Sequence, residues 1–253
     1  MQLSRQMPKP FLTAEWRYLA MLNFEVDPTV LRRLVPAETE LDTWRGRTFV
    51  SVVGFRFLNT RVLGMAIPFH CNFEEVNLRF YVRRRASEGW RRAVVFVKEL
   101  VPRAAIALAA RVIYGENYIA VPMRHEIQFE NNNGQAVRRV FYGWKFKGRE
   151  NRIEMNVQGE PREVEPGSQE EFITEHYWGY TRRRGGSTLE YQVEHPRWRV
   201  WTATDALLDC NTAQLYGIQF AEFLRASPAS AFLADGSRVT VFKGTFLSVG
   251  RDQ

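Results

Sequence analysis

Cysteine, histidine and lysine are all scarce in this chain, and each shortage closes off a class of chemistry. The two cysteines, Cys71 and Cys210, stand far apart without CxxC spacing. That argues against a disulfide framework or a thiolate metal site and fits free thiols in a reducing cytoplasm. The four histidines, His70, His125, His176 and His195, are scattered without metal-ligand spacing. No metal is expected, and no Ser-His-Asp or Cys-His arrangement can be argued from them. There is no P-loop and no GxGxxG pattern, so no cofactor is indicated. No apolar run approaches the length of a membrane-spanning helix, and the polar, proline-broken residues 1–10 hold no signal-peptide core. A cytoplasmic protein without a membrane partner is expected. Repeats, low-complexity segments and linkers are also missing. The reading is a single domain over 1–253, with 1–10 as a loose lead-in and enough length to bury a core.

What is present is a folded composition, 45% hydrophobic and 13% aromatic. The net charge of +7 and isoelectric point near 9.6 raise nucleic acid or an acidic ligand as partners. Only five of the 35 basic residues are lysine (Lys9, Lys98, Lys145, Lys147 and Lys243), so arginine supplies 30. Codon bias in the source genome accounts for such a skew better than phosphate recognition does. The arginine triplets 83–85 and 182–184 border turns and read as solvated loop charge. Nucleic-acid binding is therefore a distant third reading.

In chain order, 11–24 is strand or helix by pattern alone. Asp27-Pro28 starts a short helix over 29–35 that Pro36 ends. Residues 47–58 read as a strand in which Gly54 marks a bulge. In 73–82, Glu74, Val76, Leu78, Phe80 and Val82 share one face, while Phe73, Glu75, Asn77, Arg79 and Tyr81 share the other. The polar row faces solvent in an open sheet, or lines a cavity in a barrel. The Ser87-Glu88-Gly89 turn joins this strand to the next as a hairpin. Residues 104–114 are a buried strand or short helix. More strands follow at 126–130, 136–147, 152–158, 188–193, 198–202 and 238–247, with a turn at 131–134. A capping box at Ser168–Glu171 starts a helix to about Glu175, and 215–225 has helical spacing.

The strand at 91–102 sets Lys98 and Glu99 side by side in an apolar run. Alternation gives Lys98 the face of Val94, Phe96 and Leu100, and gives Glu99 that of Val95, Val97 and Val101. If both faces are covered, one of the two charges must be paired or desolvated. A desolvated lysine loses pKa and becomes a nucleophile. On an edge strand both charges would simply sit in water.

Residues 11–42, with Arg17-Tyr18, Val26-Asp27, Leu31–Pro36 and Glu40–Asp42, resemble the N-terminal part of acetoacetate decarboxylases. Residues 73–82, 96–99, 116–125, 175–180 and 232–241 look closer to the YqjF-like family, domain of unknown function 2071, and together the resemblance covers nearly the whole chain. It implies a β-rich α+β fold, an antiparallel, cone-shaped β-barrel of acetoacetate-decarboxylase-like type with a few peripheral helices. In the decarboxylases a lysine forms a Schiff base with a β-keto acid, and a second lysine beside it lowers its pKa. By position Lys98 falls on the first lysine, Glu99 on its companion and Arg17 on a pocket arginine. The family's two acidic pocket residues fall near Val50 and Val62, where this chain has no carboxylate; Glu75 could substitute.

The leading expectation is a small-molecule pocket, acting as a lyase on a keto acid or related acidic metabolite. Lys98 and Glu75 would be catalytic, and Arg17, Asn77, Arg79 and Tyr81 would bind substrate. The alternative is a non-catalytic binding or sensing protein for an acidic small molecule on the same scaffold. A homo-oligomer is left open.

Overall fold

A computed structural model of the chain describes residues 9–130, 137–183 and 185–247, which form fifteen strands and four short α-helices. The first half holds β1 (Pro10–Glu25), β2 (Glu40–Leu41), β3 (Phe49–Val62), β4 (Met65–Ala66), β5 (Phe73–Ala86) and β6 (Gly89–Val101). Next come α1 (Ala104–Ile113), β7 (Tyr118–Ala120), β8 (Met123–Phe129), β9 (Val137–Phe146) and β10 (Arg149–Val157). The remainder is α2 (Gln169–Thr174), β11 (Trp178–Arg182), β12 (Thr188–Glu194), β13 (Val200–Asp209), α3 (Thr212–Tyr216), α4 (Ile218–Ala221), β14 (Ser230–Phe242) and β15 (Thr245–Phe246).

Seven strands close into a barrel in the order β12-β11-β6-β5-β3-β1-β14, and β14 returns to β12 through the pair Val193 and Val241. Closure removes the edges that an open sheet would expose. The expected antiparallel arrangement holds around the ring except at β6, which runs parallel to β11 and also to the short β7. From β14 the sheet continues through β13, β10, β9 and β8, and these strands fold back over the barrel wall.

Alternation along the barrel strands therefore feeds two cores. Inward side chains such as Met21, Val53, Phe55, Phe73, Tyr81, Val94 and Phe232 form the barrel interior. Outward ones such as Leu22, Val52, Leu78, Phe80 and Val95 pack under Tyr142, Trp144, Ile153, Leu215 and Phe220 of the outer strands and helices. Both faces of the barrel wall are covered there, so a charge on either face is desolvated or must find a partner.

Several local readings resolve. Residues 11–24 lie within strand β1, and 104–113 form helix α1 with Tyr114 as its C-cap. The helix expected over 29–35 is a single 3-10 turn, Pro28–Val30, capped by Asp27, whose Oδ1 accepts from Thr29 N at 2.8 Å. Ser168 caps α2 as expected, its Oγ accepting from Glu171 N at 3.1 Å. The helix over 215–225 is interrupted at Gly217 into α3, α4 and a final 3-10 turn. Gly54 borders a bulge, as expected: Tyr18 and Leu19 of β1 stand against the single residue Phe55 of β3, and Gly54 pairs with Ala20 immediately beyond that slip and with Val76 on its other side. It is needed because a Cβ there would lie 2.8 Å from the Tyr142 ring of the outer sheet. The turn expected at 131–134 lies outside the described residues.

Much of the arginine excess is spent on ion pairs with Asp and Glu, including Arg84 and Arg91 with Glu190, Arg92 with Asp42, and Arg139 with Glu154.

Candidate functional site

The barrel encloses a cavity of about 280 Å³. β5 supplies one wall: its polar row turns inward, so Glu75, Asn77 and Arg79 line the cavity and all three are buried. This is the barrel alternative of the pattern described above. Tyr81 also points inward but lies beneath the cavity. Its hydroxyl is 2.5 Å from Ser51 Oγ, in a chain that continues to Asn23 and Ser230.

Two expected site residues are placed elsewhere, each by a bulge. Between β5 and β6 the register slips: Leu78 stands opposite Lys98, whereas Arg79 stands opposite Phe96. Val97 is the extra residue. Parity is reversed beyond it, so Val94, Phe96 and Glu99 line the cavity while Val97, Lys98 and Leu100 take the outer side. The Lys98 ammonium donates to the Leu215 carbonyl of α3, and burial together with nearby Lys147 lowers its pKa. Similarly, β1 slips against β3 between Arg17 and Ala20, with Tyr18 at a φ of 55°. Trp16 and Leu19 face the cavity. Arg17 is carried to the outside, where it pairs with Glu15 at 2.7 Å. Among the described residues no lysine lines the cavity.

In place of a lysine the cavity holds three buried glutamates. Glu75 comes from β5, Glu99 from β6 and Glu116 from the link between α1 and β7. Asn77 Nδ2 donates to Glu75 Oε1 at 2.9 Å and the Tyr118 hydroxyl to Glu75 Oε2 at 3.1 Å. Glu116 Oε1 accepts from the Tyr191 hydroxyl at 2.6 Å and from Thr181 Oγ1 at 3.3 Å. Gly179 makes that approach possible, since a Cβ there would lie 2.2 Å from the Tyr191 ring. Glu99 Oε2 has no hydrogen-bond partner.

Burial disfavours the charged form of each carboxyl. It pushes Glu75 up to about 7, helped by the nearby Glu116 charge and opposed by the bonds from Asn77 and Tyr118. Burial likewise pushes Glu116 up to about 7. Glu99 is raised well above the usual range by burial, then by repulsion from Glu116 and Glu75. All three shifts run in the same direction, so the cluster retains protons that exposed carboxyls would lose; a protonated carboxyl beside an ionised one is the arrangement that supplies an acid and a base together. The described residues contain no group of three or more His, Cys, Asp or Glu able to hold a metal ion.

Further along β5, Arg79 is 8% exposed and contributes to the same cavity. It donates to the Ile173 carbonyl at 3.3 Å, lies 5.7 Å from the Tyr81 ring, and leaves its Nε–H without a partner. No carboxylate of the described residues lies within ion-pair distance of it. His176 sits beside it, 4.7 Å from Tyr81 between ring centres and 3.7 Å from Asp42 through Nε2. Burial drives the His176 pKa down to about 4, so the ring is neutral. Burial also works against ionising Asp42, but His176 and Arg92 beside it hold its carboxyl below the usual range.

The sequence reading thus missed Glu99 as the inward charge, together with Glu116, Tyr118, Tyr191 and His176. Glu116 and His176 lie in stretches, 116–125 and 175–180, that carried the family resemblance. Their direction had no signal in the pattern.

Residues 13–238 match the family of uncharacterized conserved proteins termed DUF2071. The chain is 28% identical over 210 residues to the uncharacterized protein YqjF of Bacillus subtilis (strain 168), covering 82% of both chains. In structure it is similar to MppR, an enduracididine biosynthesis enzyme solved with the condensation product of pyruvate and imidazole 4-carboxaldehyde. That likeness has a TM-score of 0.66 at 14% identity and covers 96% of this chain and 90% of MppR. An acetoacetate decarboxylase-like enzyme from Sphingomonas wittichii RW1 aligns at a TM-score of 0.67 and 12% identity, over 98% and 99% of the two chains. The acetoacetate decarboxylase of Legionella pneumophila aligns at 0.64 and 12%, over 98% and 92%. At these identities the likeness establishes the acetoacetate-decarboxylase-like fold. The chain belongs to the DUF2071 family.

Proposed function

We propose that this member of the DUF2071 family binds a small acidic metabolite inside its barrel and moves protons on it. Arg79 would hold the carboxylate, and Glu75, Glu99 and Glu116 would act as the acids and bases. The observation that carries this reading is one cavity with a buried guanidinium lacking a counterion at one place and three buried carboxyls at another. A buried cation without a counterion is costly unless a ligand's anion completes it. Binding alone would explain Arg79, whereas the carboxyl cluster is what favours turnover.

The fitting substrate is a keto acid with an acidic C–H beside its carbonyl. An ionised glutamate takes that proton while a protonated neighbour gives its own to the carbonyl oxygen. The product is the enol, and the two carboxyls have exchanged protonation states. MppR, similar in fold, has been solved with pyruvate, which adds weight to the keto-acid class. The imine route of a decarboxylase-like lyase needs an amine in the cavity, and the outward direction of Lys98 weighs against it.

Proton-to-deuterium exchange at C3 of 2-oxobutanoate in D2O, followed by NMR, tests the reading. The protein should accelerate exchange over buffer, and Glu99→Gln should cut the acceleration by about 100-fold. Exchange at the buffer rate across a panel of keto acids would remove the proton-transfer role and leave a receptor.

A further inference from the structure

We infer that the ligand of this cavity is an amphiphilic acid, one carboxylate on an aromatic or equally bulky apolar body. This rests on Arg79 as the carboxylate site and goes beyond it to the rest of the molecule.

The walls carry the argument. Trp16, Phe55, Phe57, Phe73, Phe96 and Trp198 all line the cavity. Five of them form one connected layer: Trp16 meets Phe55, Phe57 and Trp198 edge-on at 5.6, 5.8 and 6.4 Å between ring centres, and Phe57 stacks on Phe73 at 4.6 Å. Rings held this way present flat apolar faces and edges to a guest. A small polar acid such as pyruvate would leave most of that surface without a partner. The apolar lining also runs out to the surface. Ile67, beside the β3–β4 hairpin, and Ile113, at the end of α1, both line the cavity and are 46% and 40% exposed. An apolar body therefore has a continuous path from solvent to the interior.

Size points the same way. An apolar cavity of about 150 Å³ holds one benzene. At 280 Å³ this one suits a guest of roughly eleven non-hydrogen atoms on the same scale, about a phenyl ring with a short acidic chain. Position fixes the orientation. Along β5 the inward order is Phe73, Glu75, Asn77, Arg79 and Tyr81, so Arg79 lies between the carboxyl cluster and the packed floor formed by Tyr81. Four residues of strand separate Glu75 from Arg79, roughly 13 Å between Cα atoms. With the carboxylate at Arg79, the carbon beside it points towards the glutamates and the body rests against the aromatic layer.

Calorimetric titration of the full-length protein with 3-phenylpropanoate, propanoate and 3-phenylpropanamide tests this without any variant. Phenylpropanoate should bind about 100-fold more tightly than propanoate, the factor expected from burying one phenyl group. It should also bind at least about 10-fold more tightly than its amide, which lacks the charge for Arg79. Arg79→Gln should erase the acid–amide difference and keep the preference for the phenyl body. Propanoate binding as tightly as phenylpropanoate, with both dependent on Arg79, would overturn the inference and leave the carboxylate site standing. Acid and amide binding alike to the native protein would overturn both. No binding by any of the three would overturn the inference as well.

Discussion

Glu75 offers a thermodynamic test of the carboxyl cluster that needs no ligand. Its pKa rises from the ordinary 4.5 to about 7, chiefly through burial. A raised carboxyl means that the folded protein holds the proton more tightly than the unfolded chain does. Stability is then full below pH 4.5 and falls as pH climbs through 7, where the folded protein must finally ionise. The loss from this one residue is about 3 kcal/mol, at 1.36 kcal/mol for each pH unit between the two pKa values. Glu75→Gln keeps the shape and cannot ionise, so it removes that loss. It gives up part of the bonding from Asn77 and Tyr118, about 1 kcal/mol. The variant should therefore be slightly less stable than the native protein at pH 4.5, and more stable at pH 8 by roughly 2 kcal/mol. For a chain of this length that is a Tm higher by roughly 4–8 °C. Urea unfolding at half-unit intervals from pH 4.5 to 8 gives the full curve. Parallel curves for the two proteins, with no crossing, would show that Glu75 titrates alike in both states and would refute the argument.

Arg79→Met should stabilise the protein by about 1–3 kcal/mol in urea unfolding, because a buried guanidinium without a counterion gives way to a flexible apolar chain; a clear loss of stability would mean that its bond to Ile173 O is a structural need. Lys98→Met should leave carboxylate binding and proton exchange within about two-fold of native, since it faces α3, while losing about 1 kcal/mol of stability with its bond to Leu215 O. Borohydride treatment with a keto acid should leave Lys98 unmodified, and a trapped adduct on Lys98 in the mass spectrum would restore the imine route.

The barrel was legible because hydrophobic alternation sets which residues face which way over long stretches. The β5 pattern is unbroken from Phe73 to Val82, and closure of the barrel turned its polar row inward. What alternation cannot show is where it is interrupted. Val97 is an ordinary strand residue, and nothing marks it as the one without an opposite number on β5. That single insertion exchanged Lys98 for Glu99. The same applies at Arg17-Tyr18, where a left-handed tyrosine carries the arginine out of the barrel. Glu116 and His176 depend on contacts between distant segments, α1's exit against β11 and β12, and α2's exit against β5. Those juxtapositions come from the closed topology and have no local signature.

The bulge settles more than the direction of one side chain. With Lys98 turned inward beside Glu75 and Glu116, the cavity would hold an ion pair, and both carboxyls would be held in their ionised form. With Glu99 inward, repulsion among three carboxyls and their burial act in the same direction, and each favours the proton on its neighbours. Arg79 is the only arginine or lysine among the described residues lining the cavity, and its attraction opposes the rise in the Glu75 pKa only weakly. A ligand carboxylate on Arg79 cancels even that influence. Binding should then hold the cluster's protons more firmly, and uptake of protons on binding, measured by calorimetry in buffers of different ionisation enthalpy, should be positive at pH 7. Release of protons would mean that the ligand carboxylate sits among the glutamates instead.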